Sequence, residues 1–106
     1  MISDYVRRHG PVVKGRGVVQ FHHPKGRKYK HNKVLIGPWW IIPLPWELHD
    51  VASDNEFNVT HYPKRFIKEY GQQSILWLGM IYTLMNEGYT LPFSQDVIDA
   101  ILDTRY

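Results

Sequence analysis

Proline or glycine interrupts every apolar run between residues 10 and 45, so any strand there is limited to a few residues. "GVVQF" (17–21) reads as a short strand, opened by β-branched residues after a glycine and stopped by Pro24 and Gly26. "WWIIPL" (39–44) is the second strand candidate, and Pro43 confines its end to a sheet edge or a strand exit. "PKGRKYKHNK" (24–33) between them reads as a loop, and residues 1–16, with "HGP" and "GRG" turns, as a loose basic lead-in. Helical signals follow. Pro45 suits the first turn of a helix over "PWELHDVAS", and "DNEFNVT" is a polar connection. "YPKRFIKEYG" reads as a helix with Pro63 near its start and Gly71 as its stop. "QQSILWLGMIYTLMNEG" is the longest helix, closed by Gly88, and "SQDVIDAILDTR" is the last, with Ser94 as N-cap and Asp96 in the first turn. Two short strands and then four helices predict an α+β class, and 106 residues suit a single domain, 1–106, with a modest core.

Charge is unevenly distributed. Residues 1–48 hold nine Lys and Arg against two acids, whereas residues 49–106 hold four against eight. Lys25, Arg27, Lys28, Lys30 and Lys33 fall within ten residues that contain no acid, which suits backbone contacts to DNA without sequence readout. The bland alternative is a solvated basic loop. Cysteine is absent, so a metal would be held by His, Asp, Glu or Asn. No secretory signal pattern opens the sequence, and "ILWLGMIY" (75–82) is too short to span a bilayer, so a cytoplasmic location without a membrane partner is expected.

Four of the six histidines occur in a suggestive order: His22 and His23 at a strand end, His49 in a short helix, and His61 before the next helix. Imidazole is the commonest neutral metal ligand and the side chain best suited to proton transfer near neutral pH. Two adjacent residues leaving a strand point to opposite sides, so one can ligate while its neighbour addresses a substrate water.

The ordered text "FHHPKGRKYKHNK", "IIPLPWELHD" and "NVTHYPKRFIKEYG" resembles the HNH, or ββα-metal, endonucleases. Within them it is most similar to the phage and prophage branch that includes the RecA-dependent nuclease Ref. Members read roughly "HH", a Gly/Lys-rich loop, "IPLC", a helix with His, an insertion, and a further His before "F…YG". The likeness covers residues 17–71 as an HNH-like ββα-metal core, a short two-stranded hairpin and helix, leaving 72–106 as a C-terminal helical extension.

The resemblance implies His22, His49 and His61 as metal ligands and His23 as the general base. It implies one divalent cation, with Zn²⁺ or Ni²⁺ bound by an all-imidazole set and Mg²⁺ or Mn²⁺ as working ions. It also implies a phage- or prophage-encoded endonuclease of the bacterial cytoplasm acting on DNA, with a recombinase as a family-level partner. Three departures stand out. Pro45 replaces the branch's cysteine, Ser53 stands four residues after His49 where a simple HNH helix carries His, and the motif's middle Asn has no counterpart near Trp39 and Trp40. The role of that Asn is then either lost or taken by a backbone carbonyl. Secondary candidates are His31 and Asn32 in the loop and Asp50 as an acceptor that orients an imidazole.

Ordinary structural roles stand beside these. His49 reads equally as a satisfied core or surface residue, His61 as a neighbour of a helix start, and His9 as surface. At least two of Trp39, Trp40 and Trp46 are expected in the core rather than stacking bases. The 75–82 run is expected to be a central core helix rather than a dimer face. Two further functions compete with the nuclease: a non-catalytic nucleic-acid-binding module on a degenerate HNH scaffold, and an accessory protein that binds a host protein.

Overall fold

The computed structural model describes all 106 residues. The elements are α1 (Ile2–His9), β1 (Val19–His22), β2 (Lys30–His31), β3 (Val34–Leu35), β4 (Ile42–Pro45), α2 (Trp46–His49), α3 (Pro63–Tyr70), α4 (Gln73–Asn86) and α5 (Gln95–Asp103). The class is α+β, with two separate two-stranded antiparallel sheets, β1–β4 and β2–β3. In the first, Val19 pairs with Pro45, Gln20 with Leu44, Phe21 with Pro43 and His22 with Ile42. Pro43 and Pro45 are tolerated within β4 because a two-stranded sheet consists of edges, where a missing N–H breaks no central ladder.

Two expectations from the sequence are corrected. The loop at 24–33 closes into a hairpin: Asn32 and Lys33 adopt φ of 50° and 69°, the paired left-handed conformation of a two-residue primed turn. β2 is only Lys30–His31, two polar residues, so no hydrophobic period marks it in the sequence. The basic lead-in contains a helix, α1. Asp4 lies in its first turn and Arg7, Arg8 and His9 in its last, as the helix dipole favours. Arg8 and His9 both reach Glu87, at 2.7 Å each, and the Tyr89 hydroxyl donates to Asp4 at 2.7 Å. The N-terminal cations are therefore partly spent on holding α1 to the end of α4.

α4 supplies the centre of the core. Trp77, Met80, Ile81 and Leu84 are buried against Ile42 and Leu44 of β4, Leu48 of α2, Phe66 of α3 and Val97, Ile98 and Ile101 of α5. The Trp77 indole N–H donates to the Trp39 carbonyl at 2.9 Å. Trp40 is fully buried, while Trp39 and Trp46 are half-buried. The opposite side of α4 leaves Ile75, Tyr82 and Met85 exposed, so the 75–82 run is core on one face only. No helix is long and apolar enough to cross a membrane.

α2 is shorter than the sequence suggests. It ends at His49, and Asp50 turns into extended backbone. The 53–60 segment, rather than further helix, satisfies its last carbonyls. Ser53 Oγ and Asn58 Nδ2 both donate to the Glu47 carbonyl, Asn58 Nδ2 donates also to that of Asp50, Val59 N–H to that of Leu48, and Thr60 Oγ1 to that of His49. Asn58 is completely buried, as a side chain that replaces a helical turn must be. Ser53 is thus not on the helix face at all.

Gly37 lets the chain cross itself. A Cβ there would collide with the Gly26 carbonyl oxygen and come within 2.6 Å of the Arg27 carbonyl carbon and the Tyr29 nitrogen. These are backbone atoms and cannot swing away. Gly37→Ala should therefore cost about 1–3 kcal/mol in urea unfolding. Gly79 lies inside α4 with nothing within 4 Å of a Cβ, and Gly79→Ala should stabilise by about 0.5–1 kcal/mol. Equal effects of the two substitutions would show that Gly37 is not a crossing point.

Candidate functional site

Side chains alternate across β1, so Gln20 and His22 share one face while Phe21 lies on the other. β4 ends at Pro45 and α2 starts at Trp46, so the Val19–Pro45 register carries α2 over the Gln20 and His22 face. The imidazoles of His22 and His49 meet there, with ring centroids 4.9 Å apart and planes at 59°. Gln20 links the pair to a carboxylate. Its Nε2 donates to Asp50 Oδ2 at 2.8 Å, which fixes its amide orientation because a carboxylate only accepts. Gln20 Oε1 then accepts from His49 Nδ1–H at 2.6 Å, leaving the His49 Nε2 lone pair free. His22 Nε2–H donates to Gln73 Oε1 at 2.9 Å, leaving the Nδ1 lone pair. Gln73 is fully buried at the start of α4, and its Nε2 has no partner.

Both rings are held neutral. Burial pushes His22 down to about 4, the nearby charge of a protonated His49 or His23 would press it further, and the Gln73 hydrogen bond opposes the shift. Burial also lowers His49, against the opposing charge of Asp50. The Gln20 hydrogen bond holds Asp50 below the usual carboxylate range. Neutral imidazole is the form that ligates metals.

His23 lies just past β1, and its Nδ1–H donates to the Gly37 carbonyl at 3.0 Å. That bond fixes the ring's tautomer and leaves Nε2 as an acceptor. The basic loop is docked at the same place. Gly26 N–H donates to the His23 carbonyl at 3.1 Å, and the N–H groups of Ile36 and Gly37 both donate to the Tyr29 carbonyl at 3.0 Å. Lys25, Arg27, Lys28, Lys30 and Lys33 are all exposed, and none is paired with a carboxylate. Lys25 Nζ lies 3.9 Å from the centroid of the Tyr106 ring.

The other candidate residues lie elsewhere. His61 is exposed and its Nε2–H donates to the Val51 carbonyl at 2.8 Å, while its backbone N–H is capped by Asn58 Oδ1. The structure brings together two of the three expected imidazoles, His22 and His49, while the His61 ring lies on the Val51 carbonyl. His31 and Asn32 both bond Asp103 Oδ2, at 2.9 and 3.0 Å, and tie the β2–β3 hairpin to α5. Asp50 orients Gln20 rather than an imidazole directly.

Sequence reading missed Gln20 and Gln73. Gln20 carries a signal, since it stands two residues before His22 on the same strand face. Gln73 carries none, being 51 residues away in sequence.

Two imidazoles bonded tetrahedrally to one ion at about 2.1 Å have centroids roughly 5 Å apart, so the His22 and His49 rings are near enough to be candidate ligands of one metal. That is a pair of imidazoles rather than the three-imidazole set expected from sequence. Comparison of the chain with protein-family models, with curated proteins and with solved structures finds no match.

The buried pair predicts a pH dependence. His22 takes a proton near 6.5 when unfolded and near about 4 when folded. The stability it contributes is complete above 6.5 and is lost as pH falls to about 4, amounting to at most about 3 kcal/mol. Carboxylates with lowered values act in the same direction at lower pH, so a variant isolates the histidine. In urea unfolding of chelator-treated protein, His22→Gln should flatten the loss between these pH values. An unchanged profile would show that His22 is not held neutral.

Proposed function

We propose that this chain is a metal-dependent HNH-type DNA endonuclease, phage- or prophage-encoded and working on DNA in a bacterial cytoplasm. One observation carries the reading: the strand end splits its two histidines, His22 toward His49 at 4.9 Å and His23 onto the Gly37 carbonyl at 3.0 Å. The antiparallel β1–β4 pair running directly into α2 has the ββα order of that family's core. His22 and His49 would hold the divalent cation, oriented by Gln73 and by Gln20 with Asp50 behind it. When bound, that cation supplies charge neutralisation at the scissile phosphate and the departing 3′ oxygen.

The chain's own groups do the rest. Lys25, Arg27, Lys28, Lys30 and Lys33 draw in the polyanion and contact its backbone without reading sequence. His23 Nε2 takes a proton from a water whose oxygen attacks phosphorus, and the Gly37 carbonyl stabilises the resulting imidazolium through Nδ1–H. The P–O3′ bond breaks, giving a 5′-phosphate and a 3′-hydroxyl that is protonated from solvent. No recognition helix in a reading geometry is part of this scheme, so cleavage is non-specific.

A second reading is a non-catalytic nucleic-acid-binding module on the same scaffold. It is favoured by His61, which bonds Val51 and leaves only two imidazoles together.

Plasmid nicking with Mn²⁺, Mg²⁺ or Ni²⁺ separates the two readings. The nuclease reading expects nicking that EDTA abolishes and that His23→Ala lowers by roughly 10²–10⁴-fold. His61→Ala should leave the rate near that of the parent. DNA binding without nicking under every metal, or nicking indifferent to His23→Ala, would favour the binding module.

A further inference from the structure

On the Phe21 side of β1 lies a cleft of about 390 Å³. Phe21 and His23 line it from the end of β1, Trp39 and Ile41 from the segment entering β4, Phe93 from the turn before α5, and Arg27 from the basic loop. The volume is at the small end of ligand sites, about 300–1,000 Å³, which suits one flat ring system rather than a helix or a folded partner.

The walls suit such a ring. Trp39 and Phe93 stand 5.6 Å apart, tilted by 46°, and fully buried Trp77 braces Phe93 from behind at 5.6 Å. These rings are held by the core and lose little freedom on stacking a ligand. Phe21 is 46% exposed, so the core does not account for it. Charge also discriminates. No acidic side chain lines the cleft, and Arg27 is exposed without a carboxylate partner. Aromatic walls beside a free guanidinium are the means by which proteins stack a base and hold its phosphate.

We infer that this cleft takes one unstacked nucleobase of single-stranded DNA, next to the phosphate presented to His23, with Arg27 on the neighbouring backbone. A base within a duplex is stacked and paired and enters only after extrusion, so the cleft favours unpaired DNA, whether a single strand or a melted stretch of a supercoiled plasmid. The inference deepens the nuclease reading and rests on it for the phosphate at His23, but base binding is read without cleavage.

The test is fluorescence-anisotropy binding of the full chain, in EDTA, to three labelled probes: a dT dodecamer, an abasic dodecamer with the same phosphates, and a hairpin duplex. The dT strand should bind at least about tenfold more tightly than the abasic strand. Phe21→Ala should bring that ratio close to one while leaving abasic binding unchanged, with thermal unfolding as the folding control. Arg27→Ala should weaken both single strands alike. Equal binding of the dT and abasic strands, tighter binding of the duplex, no binding of any probe, or a Phe21→Ala loss shared by both strands would overturn the inference. Base preference without nicking would leave the cleft standing and remove the nuclease, and nicking without base preference would do the reverse.

Discussion

β1 and β4 pair with Val19 opposite Pro45 and His22 opposite Ile42, and α2 begins at the next residue, Trp46. Strand side chains alternate with period two. A slip of one residue would turn His22 and Gln20 away from His49 and present Phe21 instead. The chain before β1 guards against that slip. A Cβ at Gly15 would come within 2.6 Å of Pro45 Cγ, and one at Gly17 would strike the Trp46 side chain, so both glycines allow the lead-in to lie against the β4–α2 junction. Arg16 fastens it there. Its N–H and Nε donate to Glu47 Oε2 at 2.6 and 3.1 Å, and its carbonyl accepts the Glu47 N–H at 3.1 Å.

From that junction the molecule divides its histidines by burial. His22 lies against Gln73 and His49 and is kept neutral chiefly by desolvation. His23 lies on the opposite side of the strand's end, held by a backbone carbonyl whose own position depends on Gly37 having no side chain. The same crossing docks residues 26–29, so the free cations of the basic loop are anchored beside the proposed base. A carbonyl holder has a consequence for substitution. It is altered through backbone geometry at Gly37, not by replacing a partner side chain.

The helical half was legible because its signals are local. Pro63 and Gly71 bound α3, Gly88 follows the end of α4 at φ of 95°, and Ser94 precedes α5. The strand end at His22 was legible for the same reason. The misreadings arose where a distant partner decides the outcome. α1 is held by Glu87 and Tyr89, some 80 residues away, and α2 stops early because Asn58 satisfies its carbonyls. The His22–His49 approach was readable from order and alternation. The Val51 carbonyl that occupies His61, and the buried amide of Gln73, had no local trace.

Manganese titration followed by long-range ¹H–¹⁵N spectra of the histidine rings tests the proposed metal site at His22 and His49 most directly. Without metal, His49 should be the Nδ1–H tautomer and His22 the Nε2–H tautomer, as their Gln20 and Gln73 oxygens require. At low ratios of Mn²⁺ to protein, the ring signals of His22 and His49 should broaden first and most strongly, ahead of His23 and His61, with His31 the least affected. Early broadening of His61 together with His22, or broadening that spares His49, would contradict the account.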